Sequence, residues 1–374
     1  MKKLLYIFIP ILFFGCIDEY KPVGVEEISD LLVIEGTITD DESVFILQRS
    51  VGLSDVLTDD VYVNDAEVCV EKDNGEILYG SNHGSGRFVV PTGALDANTK
   101  YRLYVKTGGE EYRSEFLQPL FTPAIDSIAP LKEGQGEPVF ICVYTHDPKD
   151  QSRYYLWSYE ETWEVKAELF AQYGYLTEKP QFFNIATAEN TYYCWGRDKS
   201  KTMLLGSSDK LLENVIYQKK LKEISCTNDR ISELYYIKVK QNQIRKEAYD
   251  YYSNIQKNIE QTGSIFAPVP SEMSGNIKSI TNPGLPVIGY IDVSSTVIKD
   301  IYLPVSMGLY EGQFFCFSMV TDDPQFAYPV YGYYEYEVRA DPPIITYAPY
   351  QCVDCRLKER ASKKRPDFWP NNHQ

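Results

Sequence analysis

Basic residues are scarce in this chain. Lys and Arg total 37 against 53 Asp and Glu, for a net charge of −16 over 374 residues. That balance argues against nucleic-acid binding, which needs basic patches to neutralise phosphate. It argues equally against docking by charge onto an anionic membrane. Histidine is scarcer still. His83, His146 and His373 are the only three, and none has a second His or Cys at metal-ligand spacing, so no metal and no cofactor is expected. The chain also lacks a G-x-S-x-G elbow, a P-loop and a G-x-G-x-x-G turn. No catalytic residue can be named from it, and the chain is not expected to be an enzyme. There is no internal repeat and no low-complexity run. Beyond residue 14 no stretch is long and apolar enough to cross a bilayer.

What is present begins at the N-terminus. Lys2 and Lys3 precede an apolar run from Leu4 to Phe14, too short to span and of the size of a signal-peptide h-region. Gly15-Cys16 follows directly, then Ile17-Asp18-Glu19. A small residue before Cys at the end of an h-region resembles a lipobox, although Phe13 stands where Leu is commonest. The expectation is a signal peptide over 1–15 and lipidation at Cys16. Acyl chains would then hold the protein, each buried methylene contributing about 0.8 kcal/mol. Residues 17–19 resemble the acidic signal that sends some Bacteroidota lipoproteins to the cell surface.

The mature chain reads as mainly β. Residues 16–28 form a polar tether. Between 29 and 122, short strand signals alternate with turn residues, including Asp73-Asn74-Gly75 and Gly108-Gly109. About seven strands in roughly 90 residues predict an immunoglobulin-like or transthyretin-like sandwich. Thr122-Pro123 and Ala129 to Pro138, with two Pro and two Gly, read as a linker or domain junction. A larger β-rich domain is expected over 123–351. It carries one clear amphipathic helix near 243–260, with Ile244, Ala248, Tyr251, Tyr252, Ile255 and Ile259 on one face. Residues 352–374 read as a Cys-containing tail.

Seven cysteines remain after Cys16. Cys69, Cys142 and Cys316 lie in apolar strand patterns and read as buried thiols. Cys194, Cys226, Cys352 and Cys355 have loop-like surroundings and are the disulfide candidates, with the pairing left open. Acidic pairs such as Asp59-Asp60 match no calcium loop and read as solvated turns. The aromatic content is 14%, with 31 Tyr. Alternation puts Tyr155, Trp157 and Tyr159 on one face of a strand, where they form either core or a binding face that stacks on sugars or anchors a partner.

Several of these segments together resemble a known group. They are the lipobox-like start, Leu32-Val33-Ile34-Glu35-Gly36-Thr37-Ile38-Thr39, Tyr154-Tyr155-Leu156-Trp157 and Glu161-Thr162-Trp163-Glu164. Thr262-Gly263-Ser264-Ile265-Phe266, Gly275-Asn276-Ile277, Val287-Ile288-Gly289-Tyr290, Cys352-Val353-Asp354-Cys355 and Pro366-Asp367-Phe368-Trp369 complete the set. In that order the chain resembles the Bacteroidota lipoprotein family catalogued as domain of unknown function 4249. The resemblance implies an outer-membrane, outward-facing lipoprotein that serves a TonB-dependent receptor by capturing ligand or covering its mouth, and it supplies no catalytic residues. Asp126-Ser127-Ile128 resembles the Bacteroidota O-glycosylation sequon, making Ser127 a candidate acceptor. Two rival readings are a surface hydrolase whose carboxylates the sequence does not single out, and a structural, adhesin-like surface protein. The ligand is not specified by the sequence.

Overall fold

The computed structural model describes residues 30–51, 61–170, 173–176, 181–184, 190–261, 275–313, 316, 319–320, 333–335, 345–347 and 350–371. The protein is mainly β, built on two pairs of facing sheets and a fifth sheet of short strands.

The first pair forms the expected N-terminal sandwich. One sheet runs in the order Val287–Ile288, Leu32–Ile38, Asp41–Arg49, Arg87–Gly93, Ser81–Asn82. The other runs Ile277–Ser279, Glu110–Ser114, Tyr101–Thr107, Glu67–Lys72, Ile77–Tyr79. Their inward residues interdigitate around Ile34, Phe45, Val70, Phe88, Leu103 and Tyr112, as period-two alternation requires. The turn signals act as expected. Gly75 has φ +91° and closes the hairpin by donating its N–H to the Lys72 carbonyl. Gly108 and Gly109, at φ +59° and +85°, make the two-residue turn that side chains with a Cβ resist.

The sandwich does not close within 29–122. Ile277–Ser279 pairs antiparallel with Glu110–Ser114, while Val287–Ile288 and Asp292–Val293 lie parallel beside Leu32–Ile38. The boundary expected at 122 is therefore crossed: three strands return from far along the chain. A parallel neighbour needs a long crossover, and nothing in the local pattern announces one.

The second pair packs a three-stranded sheet against a larger one. The small sheet runs Val215–Ile224, Val139–His146, Ile125–Lys132. The large sheet runs Thr296–Pro304, Leu234–Gln243, Tyr154–Lys166, Tyr193–Lys199, Ala361–Ser362, with Leu204–Ser207 also paired to Tyr154–Lys166. Between them lies the main core, including Ile141, Val143, Trp157, Trp163, Tyr235, Ile237 and Val239. The segment read as a linker from Ala129 is instead the end of an edge strand. Pro130 sits opposite Ile141 on that edge, where a missing N–H costs no ladder bond. The fifth sheet joins five short strands, Gln181–Asn184, Tyr173–Leu176, Tyr333–Glu335, Ile345–Tyr347 and Met319–Val320.

The helix, Lys246–Gln261, lies where its periodicity places it. Ala248 and Tyr251 pack with Ile244 against Leu205 and Tyr290. It thereby couples the large sheet to the returning segment of the first sandwich. Arg245, just before the helix, pairs with the buried Asp292, whose carboxylate also accepts the Arg245 backbone N–H at 2.8 Å.

Residues 352–374 are not a tail as far as they are described. Ala361–Ser362 adds an edge strand to the large sheet and Trp369 is buried. Cys355 is joined to Cys194 and Cys352 to Cys316. Cys226, expected among the disulfide candidates, is a buried free thiol, as are Cys69 and Cys142. Cys316, expected to be free, is bonded. The apolar flanks of Cys316 point to burial, which is only partial, and burial does not distinguish a thiol from a bridge once Cys352 comes within 5.8 Å Cα to Cα.

Candidate functional site

Strand Tyr154–Lys166 determines what lies at the centre of the larger sandwich. Its odd-numbered residues face inward. Tyr155, Trp157 and Tyr159 are 0%, 1% and 8% exposed, so the face considered for binding is core. Tyr155 and Trp157 stack at 5.5 Å, and the indole N–H of Trp157 donates to Gln241 Oε1 at 2.7 Å. A partner cannot reach these rings without unfolding the sheet pair.

The same inward phase carries Glu161, a carboxylate with 1% exposure. A charge there must be compensated. Arg230 Nη1 donates to it at 2.5 Å, the Tyr235 hydroxyl at 2.7 Å, and Lys222 Nζ stands at 3.2 Å. The Arg230 guanidinium lies 4.2 Å above the Trp163 ring. Its other edge donates to Glu359 at 2.6 Å and lies 3.5 Å from Asp198. Arg230 therefore links the core carboxylate to the C-terminal segment. The chain reaches this arginine through a single 3-10 turn, Asp229–Ile231, capped by the Asn228 side chain accepting from the Arg230 N–H.

Asp229, on the same turn, faces the other way into a pocket of about 530 Å³. Lys358 lies 3.0 Å from its carboxylate, and the Tyr310 hydroxyl donates to it at 3.2 Å. Glu311 accepts from Lys132 at 2.6 Å and from the Gly136 N–H at 2.7 Å. Those two donors hold the Glu311 carboxyl below the usual range. Burial, followed by the neighbouring Asp229, pushes Tyr310 up to about 12. Glu168 completes the wall, with Lys358 at 3.8 Å. Its carboxylate and the sulfurs of Cys316 and Cys352 lie within 4.8 Å of one another, but the two sulfurs are bonded to each other. The pocket is thus polar and its charges are largely paired.

Of the residues singled out from sequence, only the cysteines approach this site. Ser127 is exposed on edge strand Ile125–Lys132, opposite Tyr144, beside Asp126, which His146 contacts at 2.8 Å. Cys16 and the rest of the N-terminal segment lie outside the described residues, as do Gly263 and His373. Asp229, Tyr310, Glu311 and Lys358 were not legible, because they come from three separate segments. Glu161 was legible in principle: a carboxylate in phase with Trp157, Tyr159 and Trp163 demands a buried cation, although alternation does not identify which one.

The network makes acid stability testable. The Arg230 hydrogen bond holds Glu359 below its ordinary 4.5. Burial pushes Asp198 up, but the Lys199 N–H and the charges of Arg360 and Arg230 outweigh it and hold the carboxyl below 3.8. A depressed carboxyl stabilises the fold fully above its unfolded pKa and loses that contribution as pH falls through the folded one. Urea midpoints are therefore expected to fall on acidification below about pH 4.5, and Glu359→Gln to flatten part of that slope. Identical slopes for the two proteins would contradict this role of Glu359.

Comparison with known proteins places the chain. No curated protein matches it. A family model described as a domain of unknown function (DUF4249) matches residues 17–300, which take in the first sandwich, Glu161, Arg230 and the helix. The Cys352–Cys355 and Pro366–Trp369 motifs lie beyond the matched residues. With most of its length matched, the chain belongs to this family, the domain of unknown function DUF4249.

Proposed function

We propose that this protein is a lipid-anchored, non-catalytic protein of the Bacteroidota outer membrane, facing the cell exterior and capturing ligand for a TonB-dependent uptake receptor. The observation that carries the reading is the N-terminal order of Lys2-Lys3, an eleven-residue apolar run and Gly15-Cys16. That order supplies an anchor to a chain whose net charge of −16 opposes electrostatic docking. Among the described residues no helix is long and apolar enough to cross a membrane. The pocket beside Asp229 supports capture over catalysis. Asp229 and Glu311 are engaged by Lys358 and Lys132, and Glu311 is held ionised, so these groups suit polar contacts better than proton transfer.

A pull-down through a C-terminal tag from detergent-solubilised envelopes, followed by mass spectrometry, tests the partnership. A TonB-dependent β-barrel is expected among the recovered proteins. Recovery of periplasmic proteins alone would contradict the receptor role, and resistance to protease added to intact cells would contradict the outward orientation.

A further inference from the structure

The large sheet has a second face, turned away from the core, and its chemistry differs from that of the chain as a whole. Along Leu234–Gln243, Tyr235, Ile237 and Val239 point inward and are fully buried, so Tyr236, Lys238 and Lys240 point outward. Register sets Tyr236 opposite Tyr302 on one side and Thr162 on the other. Lys238 stands between Asp300 and Glu160. One strand further, Arg197 and Lys199 lie opposite Thr162 and Glu160 and share their face.

Two features stand out. The first is a set of linked rings. Tyr236 lies 4.7 Å from Tyr302 and 4.9 Å from Phe368, centroid to centroid. Phe368 is 52% exposed, yet its position is fixed: the Tyr302 hydroxyl donates to its carbonyl at 3.2 Å. Its neighbour Trp369 is 3% exposed and donates its indole N–H to Glu164 at 2.5 Å. Trp369 thus does the anchoring, and Phe368 is presented. Phe368 is the exposed ring, and Tyr236 and Tyr302 are half-buried beneath it; a fixed cluster of that kind on a sheet face marks an interaction site more than scattered rings do.

The second feature is charge. On this face Arg197, Lys199, Lys238 and Lys240 stand against Glu160, Asp300 and the buried Glu164, a small excess of cations although acids exceed bases across the chain. The cations act together. Burial pushes the Glu160 carboxyl up, but the Lys240 hydrogen bond and the charges of Lys240, Lys238 and Lys199 hold it low. Lys238 and Lys199, interleaved with Asp300 and Glu160, and Arg197, in line with Tyr302 and Tyr236, set cations beside aromatic rings, which suits an extended polymer with apolar ring faces and anionic substituents. A pyranose presents its C–H face to an aromatic ring, and a uronate or sulfate presents its charge to Lys and Arg.

We propose that this outer face, centred on Tyr236, Tyr302 and Phe368 with the flanking cations Arg197, Lys199 and Lys238, binds an anionic polysaccharide. The proposal builds on the capture role above and names a ligand class for it, at a face separate from the pocket.

The test uses the full detergent-solubilised protein in affinity electrophoresis. The gels contain polygalacturonate, dextran sulfate, neutral dextran or single-stranded DNA. Retardation by polygalacturonate or dextran sulfate, and not by dextran, is expected, and comparing the two distinguishes carboxylate from sulfate recognition. Phe368→Ala, at a half-exposed position, should weaken binding roughly five- to tenfold with an unchanged melting temperature. Lys199→Glu, also exposed, should weaken it and reduce its salt dependence. No retardation by either polyanion would overturn the proposal, as would equal retardation by neutral dextran. Binding of DNA equal to that of the glycans, or insensitivity to Phe368→Ala, would show unselective ion exchange and would also overturn it. None of these outcomes bears on whether the receptor is recovered in the pull-down, so the two readings fail separately.

Discussion

Replacing Arg230 with Met is expected to destabilise the fold by about 3–5 kcal/mol, the usual consequence of leaving a buried charge without its partner. Glu161 is 1% exposed and keeps only the Tyr235 hydroxyl and Lys222 once the guanidinium is gone. Those two contacts place the expected loss toward the lower end of the range. Met still covers Trp163, so the change isolates charge and hydrogen bonding from packing. The double variant Glu161→Gln with Arg230→Met should recover most of the loss, because it removes the uncompensated carboxylate as well. Urea unfolding of the three proteins measures this. If the single variant lies within about 0.5 kcal/mol of the wild type, the range of an ordinary surface substitution, then Arg230 does not hold Glu161. The single variant should also loosen the C-terminal segment, since Glu359 and Asp198 lose the same cation. Faster amide exchange around residues 355–362 would report it.

A comparably large loss is expected from removing the Cys194–Cys355 bridge. The bond spans 161 residues. In the chain-entropy picture a loop of that size restricts the unfolded state by about 5 kcal/mol, and removal of native disulfides commonly costs about 2–5 kcal/mol. The paired variant Cys194→Ala/Cys355→Ala avoids leaving a lone thiol at two sites that are both fully buried. The shorter 36-residue loop closed by Cys316–Cys352 should matter less, at about 4 kcal/mol by the same reasoning. Cys226→Ala should leave both bridges intact, since Cys226 is free. Peptide mapping without reduction should find Cys194 with Cys355 and Cys316 with Cys352. A Cys352–Cys355 or Cys194–Cys226 linkage would contradict the structure of the C-terminal segment.

Local chemistry carried the strands and turns. Gly75 and Gly108-Gly109 state their positive φ in their residue types, and the helix states its inward face in the spacing of Ala248, Tyr251 and Ile255. Closure of the first sandwich was not local. Ile277, Val287 and Val293 complete its core from more than 150 residues beyond Tyr112, with four strands of the large sheet threaded between. Alternation correctly grouped Tyr155, Trp157 and Tyr159 on one face but is silent on which face meets the other sheet. The adjacent tyrosines at 235 and 236 show the same limit. One is buried against Glu161 and the other opens onto the aromatic row, and nothing in Tyr235-Tyr236 alone separates them. The cysteines were sorted by their flanking residues, which report burial. Pairing depends on which segments meet, and the segment around Cys352 and Cys355 meets strand Tyr193–Lys199 and Cys316, which no local pattern connects to it.

The pocket and the outer face acquire biological sense only if the molecule is held at a membrane by lipid at Cys16. Detergent phase partitioning of wild type and Cys16→Ser from the native envelope, with the intact mass of the N-terminal peptide, decides this. The wild type should begin at an acylated Cys16 and follow the detergent phase, while the variant should lose its acyl mass and partition into water. A variant that stays with the membranes as the wild type does would remove the anchor, and with it the case for a receptor-bound capture protein.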